Sequence, residues 1–277
     1  MIAEPMPDDA ELARIETVAV ELARLGGAEI RAAMGTMLAV SYKGGGTEAD
    51  LLKNPVSEVD RRVESLIRTR LAETFPKHDI IGEEMDERPG LGHDWIWAVD
   101  PIDGTANFVN GFPLFASSVG VLYRGHPVVG ALWCSASHLL CPGVYHARVG
   151  NRLFFDGGLV DQSANPAVRR RLAGTPDGVS AQGSWDARKT GSAAIECAFV
   201  AAGLLQASLF ATPNIWDIAG GVALVEAAGG TVWQRDEEGW IENSVLTAQS
   251  GDLKDWRGSL AIGEAAATRE MVRGFNG

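Results

Sequence analysis

The run Trp95-Ile96-Trp97-Ala98-Val99 is apolar throughout and then stops on Asp100-Pro101-Ile102-Asp103-Gly104-Thr105. Apolar residues at both alternating sets predict a strand buried on both faces. Such a strand needs a covering layer above and another below. Two carboxylates three residues apart at its end can converge on one point. Like charges ~4 Å apart repel by about 1 kcal/mol in water, and by several in a partly buried site. The pair is therefore costly unless a cation or a proton sits between them. Oxygen donors without His or Cys nearby suit a hard cation, Mg²⁺ more than Zn²⁺. The string also has an ordinary reading, because Asp-Gly and Pro are common turn residues.

Composition narrows the partners. The 277 residues carry 24 Lys and Arg against 36 Asp and Glu, a formal charge of −12. An acidic chain is a poor nucleic-acid binder. It also repels an anionic substrate unless cations intervene. No stretch reaches about 18 uncharged apolar residues, so no membrane span is predicted. The acidic, proline-containing start from Met1 to Asp9 does not read as a secretory signal. Cys134, Cys141 and Cys197 lack metal-ligand spacing and are expected as core filler in a reducing cytoplasm.

Along the chain, Ile15, Val18, Leu22 and Leu25 predict an amphipathic opening helix. A glycine break at Gly44 to Gly46 follows. A second helix starts near Ser57, runs through Val59, Val63, Leu66 and Leu71, and stops at Pro76. Asp79 to Glu83 and Trp95 to Asp100 read as strands. Val119 to Tyr123 and Val128 to Trp133 form a hairpin around Gly125, and a second hairpin turns at Gly150-Asn151. The polar stretch from Asp156 to Arg188 marks the expected boundary between subdomains 1–155 and 156–277. Beyond it come a helix from Ser192 to Gln206, a loop with Pro213, a helix from about Trp216 to Ala228 stopped by Gly229-Gly230, strands at Val232 and Leu260 to Ile262, and a last short helix. This order argues a layered α/β or α+β fold.

Other acids also sit at element ends. Glu83 and Glu84 follow Gly82, and alternation turns them to opposite sides. Asp217 opens a helix, where the macrodipole favours an acid. Asp60 completes a capping box with Ser57. Gly191-Ser192 precedes an apolar helix as a plain N-cap, or as backbone N–H groups offered to an anion. Taken singly, each has a structural explanation. What sets them apart together is that the acids lie beside glycine or proline at element ends.

Asn54-Pro55-Val56-Ser57-Glu58-Val59-Asp60, Ile81-Gly82-Glu83-Glu84, Trp97 through Phe108, Gly191-Ser192-Ala193-Ala194 and Trp216-Asp217-Ile218-Ala219-Gly220 occur in one order. On these segments, from about Ile15 to Gly263, the chain resembles the Mg²⁺-dependent, lithium-sensitive inositol monophosphatase family. The wider superfamily includes fructose-1,6-bisphosphatases and 3′-phosphoadenosine phosphatases. The resemblance implies a five-layer αβαβα sandwich of the sugar phosphatase type, commonly a homodimer. It implies two or three Mg²⁺ ions, with Mn²⁺ as a substitute, held by Glu83, Asp100, the Ile102 carbonyl, Asp103 and Asp217. Asp60 would support a weaker metal through water. Thr105, with Glu83 and Asp60, would orient the attacking water. Gly104 and Thr105 N–H groups would hold the phosphate, and Gly191, Ser192 and Asn214 would face the substrate. Lys53 aligns with a family lysine near the phosphate.

The implied activity is Mg²⁺-dependent hydrolysis of a small phosphorylated metabolite. Phe210 stands where inositol-specific members often carry a glutamate seven residues before the Trp-Asp acid. Histidinol phosphate, a sugar phosphate such as fructose 1,6-bisphosphate, and a nucleotide 3′-phosphate are therefore alternative substrates. Arg169-Arg170-Arg171 reads as a solvated face. Two other classes compete: glycoside hydrolysis by paired carboxylates, which needs no metal, and a non-catalytic regulator on the same fold.

Overall fold

A computed structural model describes residues 6–36, 40–42, 55–88, 93–162, 167–168, 171–175 and 185–274. Lys53, the Gly44 to Gly46 break and Arg169-Arg170 lie outside these residues. Helix α1 (Asp9–Ala33) is capped by Asp8, whose carboxylate accepts from Glu11 N at 2.8 Å. A short antiparallel pair, β1 (Val40–Tyr42) and β2 (Pro55–Ser57), leads into α2 (Glu58–Thr74). The predicted capping box forms, with Asp60 accepting from Ser57 N at 2.9 Å. The buried stripe of α2 is Val59, Val63, Ile67 and Leu71, while Leu66 is exposed. Leu66 was expected inside. Steps of four along 3.6-residue turns place Ile67 there instead.

The seven-stranded sheet holds β3 (Asp79–Gly82), β4 (Trp95–Asp103), β5 (Ala116–Tyr123), β6 (His126–Cys134), β7 (Gly143–Arg148), β8 (Phe154–Phe155) and β9 (Gly158–Leu159) in sequence order. Only β3 and β4 run parallel. Helix α3 (Thr105–Val109) connects β4 to β5. At the β5–β6 hairpin Arg124 and Gly125 have φ of 51° and 83°. That pair of left-handed residues is the turn whose twist matches flanking strands.

The six-stranded sheet contains β10 (Leu172–Gly174), β11 (Asp186–Arg188), β12 (Ala207–Phe210), β13 (Thr231–Arg235), β14 (Trp240–Glu242) and β15 (Leu260–Gly263). Its spatial order is β11-β10-β12-β15-β13-β14. Helices α4 (Ala193–Ala201) and α5 (Ile215–Ala227) pack in one apolar cluster with residues of both sheets. A second cluster joins α1 and α2 to the far face of the first sheet. A third joins α6 (Ala265–Gly274) to the outer face of the second. The layers are thus helix, sheet, helix, sheet, helix, a mixed α/β sandwich.

Three expectations are corrected. Strand β4 does not end at Asp100 but continues to Asp103, and its register against β5 shifts between those two acids. Pro101 has no N–H for a regular ladder, so a shift rather than a turn absorbs it. The helix after Ser192 stops at Ala201, and Gly203 takes φ of 75°. The next residues form β12, buried at all four positions between β10 and β15. Cys134 and Cys197 are buried, but Cys141 is exposed, because it lies in the loop between β6 and β7 rather than on either strand. No helix among the described residues is long and apolar enough to cross a membrane.

Candidate active site

Strand β4 delivers Asp100 and Asp103, and the start of α5 delivers Asp217. Together they offer carboxylate oxygens that all lie within 4.8 Å of one another. Asp100 is 2% exposed, and its Oδ1 has no hydrogen-bond partner. A buried acceptor without a donor is costly. An oxygen left this way in an all-carboxylate pocket fits a hard cation.

The other two acids are held from behind. Asp103 Oδ2 accepts from the Ser192 hydroxyl and, at 2.7 Å, from Ala194 N. Asp217 Oδ2 accepts from Asn214 N at 2.7 Å and Asn214 Nδ2 at 3.2 Å. One oxygen of each acid is thereby fixed. Of the residues expected against substrate, Ser192 and Asn214 thus hydrogen-bond Asp103 and Asp217. Asn107 joins the two halves of this wall, donating to Leu114 O at 2.6 Å and Thr190 O at 2.8 Å. Behind it, Glu196 Oε1 accepts from Thr190 Oγ1 at 2.9 Å and Oε2 from Ser208 Oγ at 2.5 Å. Glu196, Thr190 and Asn107 tie these segments together, and the sequence reading gave none of them a role. Glu196, a lone charge inside an apolar helix, was the available signal.

Asp60 is fully buried. Its Oδ1 lies 3.1 Å from Thr105 Oγ1, which lies 2.8 Å from the Ile102 carbonyl. Thr105 has one proton for these two acceptors. Glu83 is partly buried at the exit of β3 and stands outside the tight trio. Its charge still raises the pKa values of Asp60, Asp100, Asp103 and Asp217. Gly104 adopts φ of 84°, and a Cβ there would sit 3.1 Å from Leu114 O and 3.2 Å from Gly191 O. The close approach of three segments therefore requires glycine.

Burial first, and mutual repulsion second, drives these acids toward the neutral form. Asp100 is pushed well above the ordinary carboxylate range by burial and then by Glu83. Asp103 is pushed up to about 6 and Asp217 to about 8, burial again leading. A raised folded-state pKa gives stability that is complete below the unfolded value and is lost as pH rises through the folded one. Metal-free protein is therefore expected to lose stability from about pH 4 to pH 8. Millimolar Mg²⁺ should restore it at the alkaline end. Melting temperatures in EDTA and in Mg²⁺ across this range check both statements, and an EDTA profile that rises with pH contradicts them.

Three carboxylates that converge from a strand end and a helix start of a two-sheet α/β sandwich form a group that could hold a metal ion. Residues 11–263 match the model of the inositol monophosphatase family. The chain belongs to that family, and with it to the phosphoric monoester hydrolases. It is 32% identical over 235 residues to the chloroplastic phosphatase IMPL1 of Arabidopsis thaliana, covering 78% of this chain and 62% of that protein. It is 32% identical over 254 residues to an inositol-1-monophosphatase of Mycobacterium bovis, covering 81% and 85%. The solved inositol monophosphatase of Thermotoga maritima superposes with a TM-score of 0.70 at 26% identity, over 94% of this chain and 96% of that one.

Proposed function

We propose that the chain hydrolyses a small phosphate monoester with Mg²⁺ held by Asp100, Asp103 and Asp217, joined by Glu83 and the Ile102 carbonyl. The observation that carries this reading is the unpartnered, buried Asp100 Oδ1 within the carboxylate trio. A divalent cation supplies charge neutralisation of the phosphate and acidifies a bound water. The chain's own residues do the positioning. Ser192, Ala194 N and Asn214 hold one oxygen each of Asp103 and Asp217, leaving the others for the ion. Thr105, seated between Asp60 and Ile102 O, orients the attacking water through its hydroxyl. Were Ile102 O to hold a cation, the Thr105 proton would be left to Asp60. The backbone N–H groups of Gly104 and Thr105 would be offered to the phosphate.

Phe210 bears on the leaving group. It is 1% exposed and belongs to the central core cluster, so it offers a polyol no acceptor. The loop from Ala211 to Asn214 would line the leaving-group pocket instead, and Ser259 Oγ, donating to Ala211 O at 2.8 Å, ties it down. Inositol 1-phosphate, histidinol phosphate, fructose 1,6-bisphosphate and a nucleoside 3′-phosphate form the test panel. Turnover on at least one of them, lost in EDTA and restored by Mg²⁺, is the expected result. Turnover on glycosides that persists in EDTA would favour the paired-carboxylate alternative. No turnover on any phosphate monoester at millimolar Mg²⁺ would favour a non-catalytic regulator.

A further inference from the structure

We propose that Glu64, together with Arg68, is a positioning pair that grips the chain on both sides of Glu83 and so sets metal affinity. This rests on the reading above that Glu83 serves the metal site. Glu64 lies on α2 and is fully buried, and it is not one of the carboxylate trio. Its Oε2 accepts from Glu84 N at 2.7 Å, and its Oε1 accepts from Met85 N at 3.1 Å and from Arg68 Nε at 2.8 Å. Arg68 in turn donates to the carbonyls of Met85, at 2.8 Å, and Glu87. On the other side of Glu83, Gly82 lies against the same carboxylate: a Cβ at Gly82 would sit 2.1 Å from Glu64 Oε1. One buried carboxylate therefore fixes the residue before Glu83 by contact and the two after it by hydrogen bonds.

A purely structural explanation is weaker. A buried ion pair is often no more stabilising than apolar residues of similar volume. Here the pair instead fixes the strand exit from which Glu83 projects. Asp60 and Glu64 are one helical turn apart, and Asp60 holds Thr105 while Glu64 holds the Glu83 segment. One helix thereby sets two elements of the site relative to each other. Groups that orient ligands from behind typically contribute 10–100-fold in metal affinity.

The test is calorimetric titration of Mn²⁺ into metal-free protein, without substrate. Glu64→Gln places an amide N–H₂ against backbone donors, and its Kd for Mn²⁺ should rise roughly 10–100-fold. Arg68→Gln frees the Met85 and Glu87 carbonyls and should move Kd the same way by a smaller factor. In turnover, the Mg²⁺ concentration for half-activation should rise in parallel, while the substrate KM at saturating Mg²⁺ changes little. Val63→Ala, a core truncation on the same helix, should lower the melting temperature in EDTA without moving the Mn²⁺ Kd. Should Glu64→Gln fail to fold, Arg68→Gln decides alone. Wild-type binding of Mn²⁺ with unchanged affinity in the variants overturns this proposal and leaves the metal reading standing. Wild-type protein that takes up no Mn²⁺ overturns both.

Discussion

Asp100→Asn is expected to lower phosphatase turnover at least about 1,000-fold at saturating Mg²⁺, about 4 kcal/mol of barrier, while making the metal-free protein more stable at pH 8. The two effects have one cause. Asp100 brings a buried, unpartnered oxygen into a pocket already shared by Asp103, Asp217 and the charges of Glu83 and Asp60. Without a cation the carboxylate is a liability, and its pKa is driven upward. An asparagine of the same shape removes the charge, so the remaining acids ionise more readily. The stability gain should be largest near pH 8, where the acids of the wild type are forced toward charge. It should vanish below about pH 4, where Asp100 is already neutral in the folded wild type. Thermal unfolding in EDTA at pH 5 and pH 8, set beside steady-state turnover, measures both effects. Asp100→Asn protein with wild-type Mg²⁺-dependent turnover would refute the assignment of Asp100 to the metal site.

Asp100-Pro101-Ile102-Asp103-Gly104-Thr105 was legible because two acids beside a proline have few inexpensive explanations at the end of a doubly apolar strand. The capping box at Ser57 and Asp60 was equally readable, since local spacing alone determines it. The hydrogen bonds of Ser192 to Asp103 and of Asn214 to Asp217 were not. Each residue looked like a substrate contact, but whether a polar side chain faces a ligand or the back of another acid depends on packing between segments far apart in sequence. Strand β12 was hidden for a related reason. Short apolar runs fit a buried strand or a helix end equally well, and only pairing with β10 and β15 decides between them. Glu64 gave a faint signal, an acid four residues beyond Asp60 on a helix with a regular apolar stripe. Its partners, Glu84 and Met85 backbone N–H groups, are invisible to side-chain patterns.

Gly130→Ala, far from any acid in sequence, is expected to cost on the order of 100-fold in turnover at saturating Mg²⁺, the scale of a misplacement of about 1 Å in a site. Gly120 and Gly130 face each other across β5 and β6. Helix α5 lies directly on this pair: a Cβ at Gly130 would be 2.1 Å from Gly220 O, and one at Gly120 would be 2.3 Å from Gly220 N. Both contacts are to backbone, so no side chain can swing aside. On its other flank α5 is confined by α4, because a Cβ at Gly221 would meet Cys197 Cβ at 2.2 Å. The helix is thus held against the first sheet by backbone contact and against α4, beside it in the same layer, by Cys197. Asp217 lies less than one turn from Gly220, and must reach within 4.8 Å of acids on β4. A methyl group at Gly130 can be admitted only by moving α5 outward, and Asp217 moves with it. Overpacking of this kind also destabilises by about 1–3 kcal/mol, so the melting temperature should fall by several degrees. Gly158→Ala supplies the control, since its Cβ would meet only Phe155 O at 3.4 Å; it should leave both readouts near wild type. Weakened Mn²⁺ binding in Gly130→Ala would tie the lost turnover to Asp217 displacement, whereas unchanged Mn²⁺ affinity and turnover would show that α5 accommodates the methyl without disturbing the site.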